Sequence, residues 1–286
     1  MQQSNPHVET PSGKDAAYEN FPVGSWLLPA KLRPHIADFY AFARTIDDIA
    51  DAPDLDPEVK IVRLDGFERA ILGTNAGEPE YQTGHRMRAS LIAAGAPARH
   101  CLDLISAFKQ DALKSRYDNW AELIDYCLRS AAPVGRYLLD LHGGADDGYA
   151  SSDALCNALQ VLNHLQDAKA DYLELGRVYL PADWMEEAGA NAEGLSQNQI
   201  TPELRAVYAR MLDATGALLD EAGALPGKLT SSRLAMEASA ILRIAQLLSG
   251  KLALEDPFAG RVRLNKLQYL RACSLGAGKA VLGRWR

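Results

Sequence analysis

Cysteine is scarce and unpatterned. The 286 residues contain four, none in a CxxC spacing, which excludes a zinc knuckle and gives no disulfide framework. Such usage fits a reducing, cytoplasmic compartment. Histidine is sparse too, six in all, and no Ser/His/Asp or Cys/His nucleophile stands out. No apolar run approaches the ~20 residues that cross a bilayer. The stretch "MQQSNPHVETPSGK" lacks the apolar core of a secretory signal, and residues 1–14 are expected to form a disordered tail. Positive charge is not in excess: the formal net charge is −7, which argues against a nucleic-acid partner. Period-two alternation, the mark of a half-buried strand, is missing as well.

What remains is helical spacing. With 48% hydrophobic residues the chain can bury a large core. Helices are expected at about 30–51, 57–72, 84–94, 97–113, 119–141, 151–174, 202–222 and 230–254, with shorter ones near 16–20, 181–188 and 264–273. Turn chemistry separates them, as in "APDLDP", "HGGADDG" and "GALPGK". None of these breaks is long or biased enough to divide domains, and no fixed-period repeat occurs. The expectation is one all-α domain over residues 15–286. Within 119–141, "SAAPVGRYLL" puts a proline and a glycine where the helix axis should bend.

Two helices carry acids in an unusual setting. In "YAFARTIDDIAD" (residues 40–51), Tyr40, Arg44, Asp47 and Asp51 fall within an arc of about 60°. Apolar Phe39, Ala43, Ile46 and Ala50 flank them, as for a stripe facing an enclosed polar site rather than solvent. In "LQVLNHLQDAKADY" (159–172), Gln160, Asn163, Asp167 and Asp171 span about 80°. Carboxylates four residues apart share a helix face and can hold a hard cation. Mg²⁺ takes oxygen ligands, keeps much of its water, and is typically bound by one or two carboxylates plus substrate phosphates. Two such stripes suit a magnesium-bound diphosphate. A di-iron bundle would need Glu-x-x-His on two helices, and no ExxH occurs.

These residues resemble the squalene/phytoene synthase family. The resemblance runs from "ENFPVGSWLLP" to "RVRLNK", and its most specific parts are "YAFARTIDDIAD", "YCLRSAAPVG" and "LNHLQDAKADYLELGRVYLP". It implies an all-α isoprenoid synthase fold, a single helical bundle around a deep central cavity, with Mg²⁺ and diphosphate ionisation. By the same resemblance Asp47, Asp51, Asp167 and Asp171 bind metal, helped by the amide of Asn163. Tyr40 and Arg44 match the residues ahead of the first motif, and Gln160 matches an amide ahead of the second. Tyr126 aligns with a tyrosine implicated in the chemistry. Phe21 aligns with a substrate-lining phenylalanine, and Arg177 and Tyr179 are candidates for the cavity mouth.

Within the family, "ENFPV", "NHLQD" and "SAAPVGR" depart from the commoner patterns. They resemble the branch of bacterial hopanoid biosynthesis that takes presqualene diphosphate, releases pyrophosphate and adds water. That branch implies no NADPH, and as companions a presqualene diphosphate synthase and a downstream reductase. Two alternatives stay open: a synthase joining two prenyl diphosphates, and a non-catalytic relative acting as an assembly factor. The last 29 residues, "FAGRVRLNKLQYLRACSLGAGKAVLGRWR", hold seven Lys/Arg and no acid. Arg261, Arg263 and Lys266 are candidates to close over the diphosphate. Alternatively, the amphipathic segment with Leu264, Leu267, Leu270 and Trp285 rests peripherally on the inner face of the plasma membrane.

Overall fold

The first acidic stripe lies on α1 (Arg33–Asp51), which opens with Pro34 in its first turn, where a missing N–H costs nothing. The structure is a computed structural model that describes residue 8, residues 29–143 and residues 146–283. The expected tail at 1–14, the helix near 16–20, Phe21 and Trp285 lie outside the described residues. Two compact units are distinguished, one ending at Lys114 and the other beginning at Ser115. No strand occurs among the described residues.

In the first unit α1 packs against α2 (Pro57–Leu72), α3 (Gln82–Ala94) and α4 (Arg99–Asp111). Phe42, Ile46 and Ile49 project from the face of α1 opposite the acids and are fully buried with Leu64, Phe67 and Met87. Phe67 sits edge-on to both Phe42 and Tyr81, the arrangement favoured by the aromatic quadrupole. The Lys60 ammonium donates to the Ala50 carbonyl at 2.8 Å. It thus places a cation at the C-terminal end of α1, where the helix dipole favours it.

The second unit is built on the 27-residue α7 (Tyr149–Leu175). Around it stand α5 (Trp120–Ser130), α6 (Ala132–Leu141), α9 (Pro202–Ala222) and α11 (Ser232–Leu254), while α8 (Ala182–Ala188) packs on α9 and the short α10 (Leu225–Lys228) on α11. Side-chain caps start three helices: Asn119 accepts from the Glu122 N–H, Thr201 from that of Leu204, and Ser231 from that of Leu234. The expected single helix over 119–141 is two helices. Ala131 leaves helical geometry at φ −122°, and Pro133 opens α6, having no N–H to continue the α5 ladder. Gly135 then lets α6 approach α7: a Cβ there would lie 2.3 Å from Ser152 Oγ. Arg136 fixes the same contact by a two-pronged pair with Asp153 at 2.8 and 2.6 Å.

The last helix, α12 (Lys266–Gly283), runs ten residues beyond the expected end at 273. Within it, Gly276 is a contact point. A Cβ on it would lie 2.6 Å from both the Cα of Ala240 and the carbonyl oxygen of Ser239, so α12 lies backbone-to-backbone on α11. Beneath it sits Glu237, buried on α11, with Oε2 lacking a hydrogen-bond partner among the described residues.

Burial raises the Glu237 carboxyl to about 7 from 4.5. The folded protein therefore holds this proton where the unfolded chain has released it, and stability falls as pH rises from about 4.5 to about 7. The penalty at pH 8 is on the order of 3 kcal/mol. Glu237→Gln is expected to remove this component of the pH dependence and raise the denaturant midpoint at pH 8, with little gain at pH 4.5. Equilibrium unfolding at the two pH values measures it.

Candidate functional site

In the first unit, the Arg44 guanidinium bridges two successive acids, reaching Asp47 at 2.9 Å and Asp48 at 3.3 Å. Tyr40, Arg44, Asp47 and Asp51 are all half-buried on α1. The Asp48 side chain is 11% exposed and closes the second half of the guanidinium fork. Burial, followed by repulsion from Asp51, pushes the Asp47 carboxyl well above the usual carboxylate range. Arg44 opposes this shift, while Asp48 and Asp111 add to it. Asp111, buried on α4, carries no motif and is not found from sequence spacing. One arginine thus faces a field of several carboxylates.

In the second unit, α7 carries Gln160, Asn163, Asp167 and Asp171. Tyr208 on α9 supports this face from behind, donating to the Leu165 carbonyl at 3.1 Å. Burial and, among neighbouring charges, Asp171, Asp256 and Asp167 push its phenol up, so it remains a donor. Asp167 receives Arg261 at 2.8 Å. Gln166, on a different side of α7 from Asp167, explains how that arginine arrives: its amide donates to the Val262 carbonyl at 2.5 Å and ties the incoming segment to the helix. The neighbouring Arg263, expected to bind substrate, has its side chain exposed, and its carbonyl accepts from Lys251 at 2.6 Å. Arg261 thus places a basic side chain on the acidic stripe.

After α7 the segment "GRVYLP" folds back. Val178 N–H donates to the Ser115 carbonyl at 2.9 Å, and Ala182 N–H to that of Tyr117 at 2.9 Å. This return buries Arg177 and lays Tyr179 flat on His164, with ring centroids 3.6 Å apart and planes 14° apart. Tyr126 joins at 6.0 Å from Tyr179 and 6.2 Å from His164, and Tyr117 stacks on Tyr179 at 5.6 Å. Three tyrosines and an imidazole make one enclosed wall. Burial, and then the Arg177 charge, lower the His164 pKa to about 3, so the ring is neutral at ordinary pH. Its Nε2 lies 3.3 Å from the Gln160 amide nitrogen. An amide nitrogen only donates, so Nε2 is the acceptor and the ring proton sits on Nδ1. Neither His164 nor Tyr117 carries a spacing signal that points to this wall.

Among the described residues no group of three or more His, Cys, Asp or Glu side chains converges as a ready-made metal site. The donor chemistry nevertheless suits Mg²⁺, which completes its shell with water and substrate phosphate. Burial and then the neighbouring Asp51 disfavour the charged Asp47 carboxylate, and a divalent cation beside it would favour that form.

The squalene/phytoene synthase family model matches residues 15–268. The hydroxysqualene synthase of Rhodopseudomonas palustris is 41% identical over 94% of this chain and 91% of its own length. The hydroxysqualene synthase of Zymomonas mobilis is 38% identical over 91% of this chain and 87% of its own. Among solved structures, squalene synthase HpnC from Alicyclobacillus acidocaldarius matches with a TM-score of 0.72 and 35% identity, over 82% of this chain and 87% of that one. A dehydrosqualene synthase matches in fold with a TM-score of 0.73 at 22% identity, over 90% and 89% of the two chains. The chain belongs to the squalene/phytoene synthase family.

Proposed function

We propose that the protein is a hydroxysqualene synthase, converting presqualene diphosphate and water into hydroxysqualene and pyrophosphate. The observation that carries this reading lies on α7. One helix joins a diphosphate-type donor set (Asn163, Asp167, Asp171) to an enclosed, uncharged aromatic wall (Tyr126, His164, Tyr179). High identity to enzymes of that name supports it. Loss of pyrophosphate, rearrangement of the carbocation and capture of water exchange no electrons overall, so the reaction needs no NADPH.

Asp47, Asp51, Asn163, Asp167 and Asp171 would hold Mg²⁺, which when bound supplies countercharge to the leaving pyrophosphate. Arg44 brings fixed positive charge to Asp47 and Arg261 brings it to Asp167, and guanidinium forks fit phosphate oxygens. Tyr126, Tyr179 and Tyr40 offer aromatic faces to a carbocation, which attract it without supplying a nucleophile; Phe21 joins them on the resemblance alone. Neutral imidazole would normally threaten a cation with its lone pair, but the Gln160 amide covers Nε2. Burial, and then the enclosed Arg177, keep His164 unprotonated. We place the protein in the cytoplasm with peripheral contact at the inner face of the plasma membrane, because presqualene diphosphate and its product are thirty-carbon lipids. A presqualene diphosphate synthase would precede it and a reductase follow.

Purified protein with presqualene diphosphate and Mg²⁺, without NADPH, is expected to release pyrophosphate and yield hydroxysqualene, identified by mass spectrometry; chelation should abolish turnover. Pyrophosphate release from farnesyl diphosphate alone would assign the chain to the coupling enzymes instead. Asp47→Asn and Asp167→Asn are each expected to lower kcat at least about a thousandfold, roughly 4 kcal/mol of barrier. Asp47→Asn should unfold no earlier than wild type at pH 8, because it removes a carboxylate that its surroundings penalise. Steady-state kinetics with thermal unfolding on the same samples separate a lost charge from a lost fold.

A further inference from the structure

Helix α12 has two faces of opposite character. Its inner face, with Ala272 and Gly276, is buried on α11. Its outer face leaves Leu267 76%, Leu270 63% and Leu275 52% exposed. These three leucines, with exposed Arg271, Ser274 and Gly278, occupy an arc of about 140°. Isolated surface leucines are ordinary. Three on one face of one helix, away from the helix it packs on, form an unpartnered apolar stripe.

The charge distribution says what covers it. Residues 258–286 hold seven Lys/Arg and no Asp or Glu, in a chain of net charge −7. The preceding residues therefore carry a net −14. Arg263 and Lys266 are exposed beside the stripe and Arg271 within it. Basic side chains around a leucine face, on a helix bound to its body by small residues, match a helix that lies in the plane of an anionic bilayer. No helix among the described residues is long and apolar enough to span one.

We propose that the outer face of α12 is a lipid-binding surface. Leu267, Leu270 and Leu275 enter the acyl boundary, and the flanking cations meet anionic headgroups. This deepens the peripheral placement proposed above and gives it an element and an orientation.

Flotation of the full-length protein with vesicles tests it. Wild type is expected to float with phosphatidylcholine vesicles containing phosphatidylglycerol, weakly with phosphatidylcholine alone, and less as salt rises from about 0.1 M to about 1 M. The Leu267→Gln/Leu270→Gln/Leu275→Gln triple variant should bind at least tenfold more weakly. Arg271→Glu should reduce the preference for anionic vesicles while leaving the leucines in place. Pyrophosphate release in detergent, run on the same preparations, is expected to be unchanged. Wild type that stays unbound, or a triple variant that floats as wild type does, overturns the proposal. So does a wild-type dimer in sedimentation that the triple change dissolves, because the face would then belong to a second copy. Vesicle binding without turnover would instead count against the reaction and leave the surface assigned.

Discussion

Carboxylates enclosed on a helix must be answered by positive charge, and most of the site's architecture supplies that answer. Removing a charge from water costs several kcal/mol unless a partner meets it. On α1 the partner is Arg44, shared between Asp47 and Asp48; on α7 it is Arg261, delivered by a segment nearly a hundred residues downstream. Arg44 does not fully balance its surroundings: burial and then Asp51 keep the Asp47 carboxyl raised. A protein built only for stability would replace such acids with apolar residues, often at a gain. Stability alone therefore does not account for these acids.

The remaining elements serve to hold those charges still. Lys60 secures the end of α1, Tyr208 braces α7 at Leu165, and Gln166 clasps the backbone that carries Arg261. The aromatic wall is assembled in the same way. The return of "GRVYLP" along the segment before α5 presses Tyr179 onto His164. Backbone bonds on either side of Tyr179, from Val178 to Ser115 and from Ala182 to Tyr117, hold the segment that carries the stacked ring.

Much of this was legible in the sequence where one helix carried the signal. The stripes on α1 and α7 follow from 3.6-residue periodicity, and so do Leu267 and Leu270 of α12, whereas Leu275 lies beyond the expected end of that helix. What spacing could not give depends on contacts between elements distant along the chain. Asp111 joins the α1 field from α4 without any motif. Arg261 rather than its neighbour Arg263 reaches Asp167, because Gln166 fixes the segment's path. His164 gained its meaning only when Tyr179 folded back on it. The division at Ala131 was marked by Pro133, yet sequence could not separate a bend from a break. The length of α12 was underread because Gly276 weakens a helix in isolation and strengthens one that must touch another backbone.

The tether between α7 and the C-terminal segment has a mechanical corollary. Between Arg261 and the first turn of α12 the main chain is clamped twice, at Val262 by Gln166 and at Arg263 by Lys251. Rocking or tilting of the terminal helix would be absorbed at those clamps before it reached the guanidinium. The countercharge on Asp167 is thereby insulated from whatever α12 rests upon.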